Sequence, residues 1–207
     1  MNRVKIKNES RELLKGNLWN ILKPMLIIGA IVFAFGLILG ISSGMNIEEN
    51  ASSSLITVLL EAAMYPLTFG YLVYEVKLVR KESYDINLLF AYYKKFWPIF
   101  ALNFLIGLFV GLWALLFIIP GIIASYKYAM ALLIMVDGED DPMECIRKSK
   151  AMMNGYKWDF FVFRLSFFWW HLLAIITFGI AYIYVGPYIT VAEIKYYEEL
   201  KKATANN

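Results

Sequence analysis

Long apolar runs, separated by short polar segments, set the frame of this chain. The first extends from Pro24 to Ile41, the second from Leu55 to about Val76, the third from Pro98 to Ile119, and the fourth from Ile122 to Val136. A fifth and a sixth share the 37 residues from Trp158 to Ile194, divided near Thr177-Phe178-Gly179. One membrane-crossing helix needs roughly 20 apolar residues, so this last stretch is too long for one span and fits two joined by a tight turn. The pattern predicts α-helical spans over about 24–43, 55–76, 98–119, 120–136, 158–177 and 180–196. Pro120-Gly121 breaks the third run, and placed at its outer end it lets the short fourth run reach spanning length.

The polar segments have a period of their own. Ile86, Leu89, Phe90, Tyr93 and Trp97 fall on one helical stripe, with Asp85 placed as a cap. Asp141-Pro142-Met143-Glu144 reads as an N-cap, a first-turn proline and a capping-box carboxylate. Met143, Ile146 and Met153 follow as the apolar face, and Gly155 serves as the stop. Leu14, Leu18, Ile21 and Leu22 form a similar stripe near the start. Three amphipathic helices are therefore predicted over about 8–22, 85–97 and 141–155, lying along the inner membrane surface.

These helices precede matching entries into the apolar runs. Leu13-Leu14-Lys15-Gly16-Asn17-Leu18-Trp19 aligns without gaps to Met152-Met153-Asn154-Gly155-Tyr156-Lys157-Trp158. Ala91 to Trp97 fits more loosely and lacks the glycine. The chain reads as three copies of one unit: an amphipathic helix, a Trp-marked entry, a span out, a short turn and a span back. Pro66, Pro120 and Pro187 stand near the starts of the three returning spans. The predicted architecture is an all-α, polytopic membrane bundle, with six transmembrane helices in three helix-pair units forming one domain over residues 1–207.

Charge gives the orientation. The N-terminal segment carries six Lys or Arg residues, 77–97 five, 137–157 four, and the tail from Lys195 three, which is 18 of the 20. The three opposite connections, 42–54, Pro120-Gly121 and 177–179, carry none. Cations mark the cytoplasmic side, so both termini and every basic loop are expected there. Trp19, Trp97 and Trp158 are the expected interface anchors, since indole favours the headgroup level.

Composition agrees: 60% of the 207 residues are hydrophobic and 18% charged, more apolar side chain than a soluble domain of this size covers. No cleavable signal peptide is evident, so the first span is read as an uncleaved anchor. Cys145 is the only cysteine, which excludes an intrachain disulfide and leaves a small side chain on a cytoplasmic helix.

No catalytic constellation is present. His171 is the only histidine, and no Cys pair, HExxH, Walker loop or nucleophile elbow appears, so neither a cofactor nor enzymatic activity is expected. Asp137, Glu139, Asp140 and Asp141, the acidic cluster a lipid-modifying enzyme would need at headgroup depth, read as helix cap and solvated loop. Gly36/Gly40 and Gly107/Gly111 are GxxxG pairs, read first as seats for helices of the same chain and otherwise for helices of another chain. Ionisable residues inside the apolar runs are the better leads, because isolated charge in hydrocarbon is costly. Glu61 and Lys127 are placed at similar depth and able to pair; Arg164, His171 and Glu193 complete the set of candidate intramembrane polar residues, and Glu75 lies near an inner end.

Ile119-Pro120-Gly121-Ile122, Tyr126, Asp137, Ile146, Ser149, Met152-Met153, Gly155, Lys157-Trp158, Thr177-Phe178-Gly179-Ile180 and Pro187-Tyr188 together resemble an uncharacterised bacterial family of six-helix membrane proteins, catalogued as domain of unknown function 975. More remotely they are similar to the membrane domain that precedes some glycerophosphodiester phosphodiesterases. The resemblance implies an integral protein of the bacterial cytoplasmic membrane and carries over no catalytic residue, since the phosphodiesterase site belongs to a separate soluble domain. The expected function is that of a non-catalytic accessory or scaffold module working with other membrane components, in export or in envelope protection. A small-solute transporter or channel with a polar intramembrane path is the alternative. Membrane lipids, and another membrane protein or a second copy of this chain, are the expected partners; nucleic acid is not.

Overall fold

The computed structural model describes the backbone of residues 2–44 and 51–205, and side chains there except at 38–44, 51–57 and 60. The connection holding Glu48 and Glu49 lies outside the described residues, as do the surroundings of Gly40. The helices are α1 (Arg3–Gly44), α2 (Ala51–Arg80), α3 (Leu88–Ala91), α4 (Phe96–Leu116), α5 (Ile118–Lys127), α6 (Ala131–Val136), α7 (Pro142–Met152), α8 (Lys157–Leu165), α9 (Phe168–Ile176) and α10 (Tyr182–Ala205). A 3₁₀ turn, Tyr92–Lys95, joins α3 to α4. Among the described residues there is no strand.

Among the described residues four helical stretches are long and apolar enough to cross a membrane: Arg3–Leu37, Leu88–Leu116, Ile118–Val136 and Lys157–Ile176. The predicted second span falls on α2, whose outer turns lie partly outside the described side chains. The predicted sixth falls on α10, which carries charges at Glu193, Lys195, Glu198, Glu199, Lys201 and Lys202 and is apolar only in its first half.

Helix breaks recur just before the tryptophans, and each has a local cause. In α1 the helix is interrupted at Asn17 (φ −129°, ψ 20°), after Gly16. Gly155, at φ +83°, ends the turn after α7, a conformation that costs glycine nothing. The third break is the 3₁₀ turn before Phe96. The start of α7 follows the sequence: Asp141 accepts a hydrogen bond from the Met143 N–H at 3.0 Å, with Pro142 in the first turn.

The segment read as an amphipathic helix over 85–97 takes a different form. It is divided between α3, the 3₁₀ turn and the start of α4, and it packs along α2. Tyr84 meets Tyr74 edge-on at 5.0 Å and Tyr92 meets Phe69 at 5.1 Å, while the Tyr93 hydroxyl donates to the Ala63 carbonyl at 3.0 Å. The stripe accordingly splits: Leu89 is buried, whereas Phe90, Tyr93 and Trp97 are exposed. Gly70 makes the approach possible, since a Cβ there would stand 2.5 Å and 2.6 Å from the Leu88 and Leu89 carbonyl oxygens. At the GxxxG positions Gly36, Gly107 and Gly111, ideal Cβ atoms meet nothing within 4 Å among the described residues. Close packing occurs instead at Gly121, where a Cβ would lie 2.7 Å from that of Ala114 and which closes the α4–α5 hairpin.

Burial divides the molecule into two regions. At the end rich in charge, one core gathers Ile6, Leu14 and Ile21 of α1, Val73 and Val76 of α2, Met130–Met135 around α6, Ile146 and Met153 of α7 and its exit, Phe160 and Phe163 of α8, and Tyr188–Leu200 of α10. Away from it Leu26, Phe33, Phe104, Leu112, Phe168 and Ile175 on the apolar helices are exposed. Apolar side chains turned outward over whole helices are stable in lipid and not in water.

Candidate functional site

The polar residues inside this apolar body converge on one place. A cavity of about 340 Å³ is lined by Met25 of α1, Tyr71 of α2, Arg164 of α8, His171 of α9, and Tyr182, Gly186, Thr190 and Glu193 of α10. A second, of about 250 Å³, shares Arg164 and His171 with it and extends to Tyr126 and Phe161. Arg164 Nε stands 2.9 Å from Glu193 Oε1. Its N–H is not aligned on that oxygen, so charge rather than a directed hydrogen bond holds the pair. The guanidinium also lies 5.8 Å from the Phe160 ring centroid.

Glu75 stands behind this wall, one helical turn from Tyr71. It is wholly buried, and among the described residues neither carboxyl oxygen, nor the Tyr71 hydroxyl, has a hydrogen-bond partner. Arg164 is the cation paired to Glu193, and among the described residues none is paired to Glu75. Sequence reasoning placed Glu75 near a helix end and left it out of the site; its burial depends on α10, which no periodicity in α2 reveals.

The other candidates lie apart. Glu61 is exposed, and no ion pair joins it to Lys127. Lys127 is half-buried, its ammonium 5.8 Å from the Trp113 ring centroid, and its carbonyl accepts a 2.9 Å hydrogen bond from the Ser149 hydroxyl. Trp19, Trp97 and Trp158 are 62%, 74% and 73% exposed and stand immediately after the three helix breaks. Among the described residues no three His, Cys, Asp or Glu side chains converge to hold a metal ion.

At the charge-rich end an ionic network ties the elements together. Asp137 accepts hydrogen bonds of 2.6 Å from each of Arg80, Tyr197 and Lys201, and Arg80 also donates to Glu198. The N-terminal part of α1 adds a basic stripe at spacing i, i+4, i+8. Arg3 pairs with Asp159 at 3.5 Å, Lys7 donates to the Ser166 hydroxyl at 3.1 Å, and Arg11 lies 5.5 Å from the ring centroids of both Trp170 and Tyr188. This part of α1 is thus docked on α8, α9 and α10, where sequence reasoning laid it along the membrane surface.

Burial pushes the Asp137 carboxyl up, but the hydrogen bonds from Lys201, Tyr197 and Arg80 outweigh it and hold the group below the ordinary carboxylate range. A folded value below the unfolded one means that the network stabilises fully above the unfolded value near ~4 and is lost as pH falls through the folded value. Thermal melts in detergent are expected to drop on acidification below about pH 4. Asp137→Asn is expected to melt lower at neutral pH and to show a flatter acid limb; an unchanged limb would count against this network.

Cys145 is buried on α7, and its thiol is pushed up to about 11, first by burial and then by the Glu139 and Asp141 carboxylates. A protonated, enclosed thiol is a poor nucleophile. Native protein is therefore expected to resist iodoacetamide at neutral pH and to be alkylated at once when denatured, as read by intact mass.

An all-α body with outward apolar helices, charge at one end and a small polar cavity among its helices defines a membrane protein. Within that class the chain belongs to a family described as "Protein of unknown function (DUF975)", whose model matches residues 1–124 and 115–204. No curated protein and no solved structure matches it.

Proposed function

We propose that the chain is a non-catalytic integral membrane module that inserts six helical segments as three hairpins from the cytoplasmic side and acts with other membrane components, in export or in protection of the envelope. The observation that carries this reading is the two-part burial. Elements from all three units lock into one ion-paired, charge-rich base, while the apolar helices beyond it keep large hydrophobic side chains exposed. The repeated helix break before Trp19, Trp97 and Trp158 supports three equivalent insertions. The setting proposed is a bacterial cytoplasmic membrane with both termini inside, supported by the Lys and Arg distribution.

The test is purification of the tagged chain from its own membranes in mild detergent, with mass spectrometry of what accompanies it. A stoichiometric membrane protein is expected; a chain that purifies alone and leaves cells unaltered when deleted would defeat the reading.

One observation favours the solute-path alternative, namely the cavity where Arg164, His171 and Glu193 meet. That path would run through α8–α10 and not between Glu61 and Lys127. Proteoliposome uptake abolished by Glu193→Gln would establish it.

A further inference from the structure

The three hairpins differ at their tips in a way that bears on what each tip touches. Between α4 and α5 the chain turns through Leu115, Leu116, Phe117, Ile118 and Ile119, all exposed, with Leu115 at 85%. Between α9 and α10 it turns through Ile175, Ile176, Phe178 and Ile180, again all exposed, with Phe178 at 99%. Neither turn holds a charged residue, whereas the connection between α1 and α2 holds Ser42, Ser43, Asn46, Glu48, Glu49 and Asn50.

Backbone satisfaction gives an independent sign. In water a turn leaves its N–H groups to solvent; in hydrocarbon each needs an acceptor within the chain. In the α9–α10 turn the N–H groups of Phe178, Gly179, Ile180, Tyr182 and Ile183 donate to the carbonyls of Ile175, Ala174, Thr177, Gly179 and Ile180. The Ala181 N–H donates to the Thr177 hydroxyl, which in turn donates to the Leu173 carbonyl. Thr177, the only polar side chain of the turn, is thereby spent on its own backbone. The α4–α5 turn is satisfied only in part: Phe117 and Gly121 donate to Trp113 and Phe117, and Pro120 has no N–H, but the Ile118 and Ile119 N–H groups have no acceptor among the described residues.

Length agrees. Trp97 to Phe117 and Trp158 to Phe178 are each 20 residues, or about 30 Å of helix, the thickness of the hydrocarbon core alone. Tilt, and the breaks at 128–130 and 166–167, shorten that reach. From Trp19 to Gly44 the helix is 25 residues, about 38 Å.

Resting on the reading of three hairpins inserted from one side, we infer that the α9–α10 turn ends among the acyl chains of the far leaflet and binds lipid. The occupant of this tip is acyl chain, because the tip surface continues the apolar sides of the helices without a polar rim.

The test places a nitroxide at Phe178→Cys, Glu48→Cys or Lys148→Cys of the full chain carrying Cys145→Ala, in phospholipid vesicles. Relaxation by oxygen is compared with relaxation by a polar nickel complex. Position 178 is expected to favour oxygen several-fold, and positions 48 and 148 to favour nickel. Nickel-favoured relaxation at 178 overturns the inference. Shielding from both reagents with dipolar broadening overturns it in favour of a second copy seated on the tip. Nickel trapped on one face that relaxes both 48 and 148 overturns the three-hairpin reading instead. Should Cys145→Ala misfold, Phe178→Cys is made in the native background, where Cys145 is enclosed. No reaction with a charged maleimide is then expected, and reaction at the Glu48→Cys rate overturns the inference.

Discussion

Replacing Arg164 by leucine is expected to destabilise the detergent-solubilised protein by about 1–3 kcal/mol, the cost of leaving the mostly enclosed Glu193 carboxylate without its cation, the guanidinium itself being half exposed. The reason is charge balance in a poor solvent. Glu193 loses its cation at 2.9 Å, and among the described residues no other cation is paired with it. Glu193 then has to take up a proton or reorganise the contact between α8 and α10. Adding Glu193→Gln to Arg164→Leu removes the orphaned charge and is expected to restore most of the loss, which a general packing defect would not allow. Arg164→Lys keeps the charge without the planar contact on Phe160 and is expected to fall between. Thermal unfolding followed by size-exclusion chromatography reads all of these. Melting of Arg164→Leu at the wild-type temperature would show that the pair holds nothing together.

The second large effect is expected at a residue with no side chain. Gly70→Ala places a methyl 2.5 Å from the Leu88 carbonyl oxygen and 2.6 Å from that of Leu89, and these are backbone atoms that cannot swing aside. Helix propensity favours the change by about 1 kcal/mol. The clash exceeds it, because relieving overlap with backbone separates α3 from α2 and loosens Leu89 and the Phe69–Tyr92 contact, at about 1–3 kcal/mol or more. Net destabilisation is expected, with hydrogen exchange rising first in 84–95. Gly107→Ala, with nothing within 4 Å, serves as the control and is expected to be neutral or stabilising. Equal behaviour of the two variants would remove the close approach from the account.

Apolar runs and their spacing determine that this chain is helical and that it belongs in lipid. Those properties are local: a run of apolar residues must form a helix in hydrocarbon whatever its neighbours do, and Asp141-Pro142 caps a helix wherever it lies. Which residues meet is not local. The stripe from Ile86 to Trp97 is compatible with an amphipathic helix on the membrane, yet the absence of a Cβ at Gly70, 16 residues before Ile86, lets the segment dock on α2 in another shape. Glu61 and Lys127 look matched in depth, but helix azimuth keeps them apart, and hydropathy carries no azimuth. Arg164, His171 and Glu193 are visible in the sequence as intramembrane polar residues. Only the packing of α2 and α8–α10 decides that they share one cavity, and that Glu75 stands sealed behind it, because the cost of a charge depends on which surfaces close around it.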